Sequence, residues 1–281
     1  MARRMGVRFR SSGASGQAEE RIAPTPAVRG LSRAAWHRCL AVGTPVAVLI
    51  VWEVFARLDW IDVRFFPAPS VVVLSFIGLS GTGELPGHLL TSVFRIFSGF
   101  LVGAIPAVIL GLLMGLVPWL RAALGQIVAA IYPIPKSALL PLFLLIFGIG
   151  ETSKIALIAA GVFFPVLINA TAGALGVPRI YLDVGANYGA RGLRFYRTVV
   201  LPWAMPVIFA GLKIGINIAM VLIVIAEIAG AETGIGFLIW QAWQTFDIEA
   251  LYVGLLTIAL LGIALNLALD WCQRLLVPWK L

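Results

Sequence analysis

Charge is scarce in this sequence: Asp, Glu, Lys and Arg make up only 12% of 281 residues, where soluble domains carry roughly a quarter. Histidine is limited to His37 and His88, and cysteine to Cys39 and Cys272. No GxxxxGK[ST] loop, HExxH helix or GxSxG elbow occurs, so the chain has no phosphate cradle, no paired-histidine zinc helix and no serine nucleophile of those kinds. No catalytic residue, metal ligand or bound cofactor is expected.

What replaces charge is apolar length. Hydrophobic residues reach 60% and the mean hydropathy is +0.99. Runs near the roughly 20 residues that cross a bilayer lie at about Leu40 to Ala56, Ser92 to Val117, Leu124 to Phe147, Ile155 to Leu175, Met205 to Ala226 and Ala250 to Cys272. Backbone groups in lipid must be satisfied within the segment, and these runs are too long for barrel strands, so they read as helices. The predicted fold is an all-α polytopic membrane protein of about six spans. Pro67 to Leu79 is too short for a seventh and reads as an external or interfacial helix.

Lysine and arginine set the orientation. The first 39 residues carry eight arginines, Arg3 to Arg38, and the basic residues Arg121, Arg179, Arg191, Arg194, Arg197, Arg274 and Lys280 fall on the same side when six spans alternate. The other side holds Arg57, Arg64 and Lys154 among acids such as Glu84, Glu151 and Glu232. Both termini are therefore expected in the cytoplasm. The net charge of +8 follows this inside-positive bias and calls for no nucleic acid. Residues 1–39 read as a disordered basic tail, and 40–281 as the membrane domain. No small-residue cleavage site follows the first run, so it reads as a retained anchor. The two histidines lie on opposite sides, each on a solvated surface, and both cysteines lie near cytoplasmic ends, where no disulfide is expected.

One polar loop interrupts the greasy pattern, at 176–203. LGVP ends the fourth run, an amphipathic piece follows from Arg179 to Tyr188, Gly189 and Gly192 permit a sharp turn, and a second piece, Leu193 to Leu201, leads to Pro202 and Pro206 at the start of the fifth span. Such a helical hairpin presents a knob to a soluble partner; the alternative is a basic connection resting on anionic headgroups.

The loop resembles a known signature. Asp183-Val184-Gly185, three residues, Gly189, nine residues, Val199, one residue and Leu201-Pro202 are similar in spacing to the cytoplasmic loop of ABC importer permeases, where Glu-Ala-Ala, Gly, Ile and Leu-Pro stand at those positions. Gly189, Leu201 and Pro202 agree in identity; Asp183, Val184, Gly185 and Val199 depart from it. The stretches FFPAPSVV, YPIPKSALLPLFLLIFGIGETSKI, FFPVLINATAG and VIAEIAGAETGIGFLI resemble the nitrate, sulfonate and taurine branch over about 240 residues. The resemblance implies a type I importer fold, with Asp183, Gly185, Gly189, Ala190, Arg191, Leu201 and Pro202 coupling the chain to a cytoplasmic ABC ATPase dimer that binds ATP and Mg. It also implies a periplasmic or lipid-anchored solute-binding protein, a homodimer of permeases in the bacterial inner membrane, and a small solute such as a sulfonate or other organic anion.

Within the spans four polar residues are pathway candidates. Lys136 follows two helix-interrupting prolines, and either lines the pathway to accommodate an anion or snorkels to an interface. Asn169 and Asn217 face the bundle interior or form interhelical hydrogen bonds. Glu227 stands near the outer end of the fifth span, in the interior or in an outer gate. Lys213 reads as a snorkelling residue. The segment Gly234 to Phe246 forms a short helix near the external mouth or an anchor in the headgroups. Two other functions remain: an ion-gradient-driven secondary transporter, which would show an inverted repeat, and a membrane-embedded enzyme, which would cluster polar catalysts at one depth. Neither feature is evident, and the chain's lack of a nucleotide site fits an external motor.

Overall fold

The computed structural model describes residues 28–280. The chain divides into two compact units, Met1–Val51 and Trp52–Leu281. The described residues of the first belong to helix α1 (Val28–Arg57), whose stretch Cys39–Arg57 is long and apolar enough to cross a membrane. Of the expected disordered tail, 1–27 lies outside the described residues; 28–39 is helical, continuous with the span.

The second unit is a helical bundle, and no strand occurs among the described residues. After α1 come α2 (Pro69–Gly81), α3 (Glu84–Leu116), α4 (Pro118–Ile131), α5 (Leu140–Phe147), α6 (Glu151–Leu175), α7 (Arg179–Asn187), α8 (Gly192–Phe195), α9 (Leu201–Gly230), α10 (Ile235–Thr245) and α11 (Ile248–Leu276). Its centre is the contact of α6 with α3 on one side and α9 on the other. Small residues make this possible: a Cβ at Gly103 would stand 2.5 Å from the Ala159 carbonyl oxygen, and one at Gly111 would stand 2.6 Å from the Ala170 Cβ. Lipid offers no hydrophobic drive for helix association, so close backbone approach and dispersion hold α3 to α6. Leu157, Ile158, Val162, Val166 and Leu167 fill the seam with no exposure to solvent.

Two expected spans have a different form. Leu124 to Phe147 is a bent pair, with α4 and the segment Lys136–Phe147 meeting at 88°. Pro133 and Pro135 remove two N–H donors, and residues before proline avoid the helical region, so the chain turns at Tyr132–Pro135. The fifth span begins earlier than Met205. A single helix of 39 residues runs from Gly192 to Gly230, through α8, a π turn at Tyr196–Val200 and α9. Pro202 sits in the first turn of α9, where the missing N–H costs little because the π turn has already shifted the hydrogen-bond register.

At the end of the bundle opposite α7, the short helices α2 and α10 pack on α11. Val72, Leu85, Leu238 and Val253 form a small core there. The segment 234–246 is thus a packed helix, and Trp240 and Trp243 stack on each other at 4.8 Å between ring centroids. Outside the spans, hydrogen bonds from Arg64 hold the Asp62 carboxyl below the usual carboxylate range.

Candidate functional site: coupling turn, cavity and buried ion cluster

The polar loop is built around Gly189. The Tyr188 N–H donates to the Val184 carbonyl, Gly189 N–H to Ala186 and Ala190 N–H to Gly185, each at 3.0 Å. The last two bonds, with Gly189 at φ +76°, make a Schellman ending for α7. A left-handed residue is required at this position, and glycine meets the requirement without a Cβ penalty. Gly185 is buried because α7 lies against the π turn: a Cβ there would stand 2.8 Å from Val199 Cγ2 and 3.1 Å from Phe195 Cε2.

The outer face of the loop is bare. Tyr188 and Leu193 are 88% and 74% exposed, Asp183 and Arg191 are exposed, and none of Arg191, Arg194 and Arg197 pairs with a carboxylate among the described residues. Beside it is an open cavity of about 560 Å³ lined by Tyr181, Val184, Tyr188, Arg194, Trp203 and Trp279. Ala190 and Pro202 also line it, whereas Leu201 is half-buried in the helical run beyond Val200.

A second cavity, about 580 Å³, opens at the bend between α4 and α5. Lys136 and Asn217 both line it, with Tyr132, Ser137, Phe164 and Val221. The Lys136 ammonium donates to the carbonyls of Ile131 and Ile134 at 2.8 Å and of Tyr132 at 3.2 Å, and lies 4.6 Å from the centroid of the Phe164 ring. An ammonium has three protons, so these three carbonyls at the proline bend use all of its donors. Its charge remains, facing the aromatic ring and the cavity.

The four pathway candidates therefore separate. Asn217 and Lys136 share a cavity; Asn169 does not line it, and its amide donates to Pro165 O within α6 at 2.8 Å. Glu227 lines neither cavity and is fully buried. The expected choice between interior and outer gate resolves to the interior at the α10 end.

There Glu227 meets a residue that sequence reasoning missed. Arg95, on α3 and 2% exposed, donates to Glu227 Oε1 at 2.8 Å, to both carboxylate oxygens of Glu151 at 2.6 Å and to the Thr233 carbonyl at 2.6 Å. Ser92 donates to Glu227 at 2.8 Å and accepts from Ile235 N–H at 2.9 Å. The Gly236 N–H donates to Glu227 Oε2 at 2.8 Å. Glu227 thus neutralises Arg95 and also caps the N-terminus of α10, whose free N–H groups and dipole favour an anion. Desolvating these charges is tolerable only because their hydrogen-bonding groups are occupied. His88, expected on a solvated surface, is half-buried and accepts from Gly234 N–H at 3.0 Å.

Lys213 does not snorkel free either: it pairs with Asp270 of α11. One turn along, Asn266 donates to Asn217 at 2.8 Å. Asp270 and Asn266 carried no signal before the pairing of α9 with α11 was known.

The described residues thus form a helical bundle with a glycine-ended helix at one end and a cavity at a broken span. Residues 107–281 match the family described as binding-protein-dependent transport system inner membrane component. The chain belongs to this family of ABC transporter permeases. The permease is 34% identical to the taurine transport system permease protein TauC of Escherichia coli (strain K12), over 85% of its own length and 89% of the relative's. It is 32% identical to the putative aliphatic sulfonates transport permease protein SsuC of Bacillus subtilis (strain 168), over 89% and 90%. It is 33% identical to the riboflavin transport system permease protein RibX of Chloroflexus aurantiacus, over 91% and 96%. It is a multi-pass inner-membrane protein of the ABC importer class, in a family whose members are transport components rather than enzymes.

Proposed function

We propose that the permease forms, with a second copy of itself, the pathway for a small organic anion of the sulfonate type, and that ATP with Mg is hydrolysed by an ABC ATPase dimer docked on α7 from the cytoplasm. A solute-binding protein delivers the solute at the α10 end, and both termini lie in the cytoplasm, in keeping with the basic residues near α7. Asp183, Gly185, Gly189, Ala190, Arg191, Leu201 and Pro202 form or support the docking knob. Lys136 and Asn217 line the pathway; Glu227 ties α9 to α3 and α10 beside it, and Asn169 packs on Gly211 of α9. The observation that carries this reading is the bare, glycine-ended α7 standing at the start of a 39-residue helix, so that a partner held at α7 acts directly on a pathway helix.

The solute class draws on the lysine charge at the cavity and on the names of two relatives, which are taurine and aliphatic sulfonate permeases. The test is a mild-detergent pull-down of the tagged permease beside Gly189→Glu, followed by mass spectrometry. Co-purification of a P-loop ATPase with the native chain, and its loss from a folded variant, is the expected result. Absence of an ATPase from both would overturn the motor assignment.

A further inference from the structure

The wall of the α4–α5 cavity is mainly apolar, and its polar side chains are Tyr132, Lys136, Ser137 and Asn217. No carboxylate lines it, and Lys136 contributes a positive charge whose donors are already used. The direction of the Asn217 amide is decided by its neighbour. Asn266 Nδ2 donates to the Gly262 carbonyl at 2.9 Å, a group that can only accept, so the nitrogen of the Asn266 amide must lie on that side. The same nitrogen meets Asn217 at 2.8 Å, so the Asn217 atom it meets must be the oxygen. The Asn217 NH2 group is left over, with no protein acceptor among the described residues, on an exposed side chain that lines the cavity. The Lys213–Asp270 pair, one turn away on the same two helices, fixes the register that brings the amides together.

We infer that Asn217 is a specificity-determining donor for the oxyanion head of the transported solute, and that Asn266 is the positioning residue that turns its NH2 into the cavity. The inference rests on reading this cavity as the pathway. An oxyanion accepts hydrogen bonds only, so a wall offering an NH2 group beside a cation suits it; the Ser137 and Tyr132 hydroxyls, unpartnered among the described residues, add two adaptable groups. A carboxylate and a sulfonate share this chemistry.

The test places a reporter thiol at Val221→Cys, which lines the same cavity one turn from Asn217, with Cys39 and Cys272 replaced by serine, in the full chain in native membranes. Three methanethiosulfonate reagents are compared: one bearing a sulfonate, one a trimethylammonium group and one a bare methyl. The expected result is that Asn217→Leu and Asn266→Leu each lower the sulfonate-to-ammonium rate ratio about fivefold, the effect of one hydrogen bond, while the methyl reagent reacts as before. The isosteric Asn217→Asp lowers the ratio further. An unmoved ratio in both Asn217 variants overturns the inference and leaves the pathway reading intact. A fall in Asn217→Leu but not in Asn266→Leu overturns the positioning role. A thiol that not even the methyl reagent reaches overturns the pathway reading, and the inference with it.

Discussion

The Arg95 guanidinium on α3 and the Glu227 carboxylate on α9 meet at 2.8 Å, with side-chain exposures of 2% and 0%. A charge left alone in such a place costs about 3–5 kcal/mol. Arg95→Leu and Glu227→Leu are each expected to lower the melting temperature of the purified permease sharply, whereas the double variant loses less than the sum. Glu151→Gln, at a half-exposed partner, has the mildest effect. A double-mutant cycle of thermal melts checks this; strict additivity would mean the two charges do not support each other.

The left-handed turn at Gly189 orders a series of substitutions. Alanine there meets a penalty of about 1–2 kcal/mol, and asparagine a smaller one. Retention of the partner ATPase in a pull-down is expected to fall in the order Gly, Asn, Ala, Val. Equal retention across the series would show that the Schellman ending is not what the partner reads.

Lys136→Met removes the ammonium from three carbonyls at the bend, of which Ile131 O keeps the Ile134 N–H. The three carbonyl-bearing residues are exposed, so each lost bond is worth about 1 kcal/mol or less, and the melting temperature falls modestly even with no solute present. An unchanged melt would show that the ammonium is spare for cargo.

Gly103→Ala drives a methyl group into the Ala159 main chain at 2.5 Å, where nothing flexible can yield. Overpacking of this kind costs about 1–3 kcal/mol. Gly125→Ala, at a position whose Cβ meets nothing within 4 Å, is the matched control. Melting of the two variants side by side checks the prediction.

The spans were legible because hydropathy is a local property: each run announces itself whatever surrounds it. Pro133 and Pro135 announced an interruption, but the 88° between the two arms depends on what α5 packs against. Pro202 does stand in the first turn of α9, but the π turn before it carries the helical run back to Gly192, which a proline gives no sign of. Arg95 was hidden for a different reason. Its partners Glu227 and Thr233 lie 132 and 138 positions away, and a single arginine in a long apolar run has no signature until the fold supplies the counter-charge. Asn217 was visible as a polar residue in a span, but the direction of its amide depends on Asn266 and on the Gly262 carbonyl behind it.

The unbroken helix from Gly192 to Gly230 is about 58 Å long at 1.5 Å per residue, nearly twice the hydrocarbon thickness of a bilayer. Under the proposed docking it would work as a lever arm rather than a simple strut. Its lower end turns out of the loop at Gly192, and Glu227, near its upper end, is clamped to α3 and α10. With that end held, a swing of a few degrees about the clamp moves the loop end by several ångströms. In the proposed coupling, the Arg95 network is the fulcrum against which a stroke delivered to the loop would act.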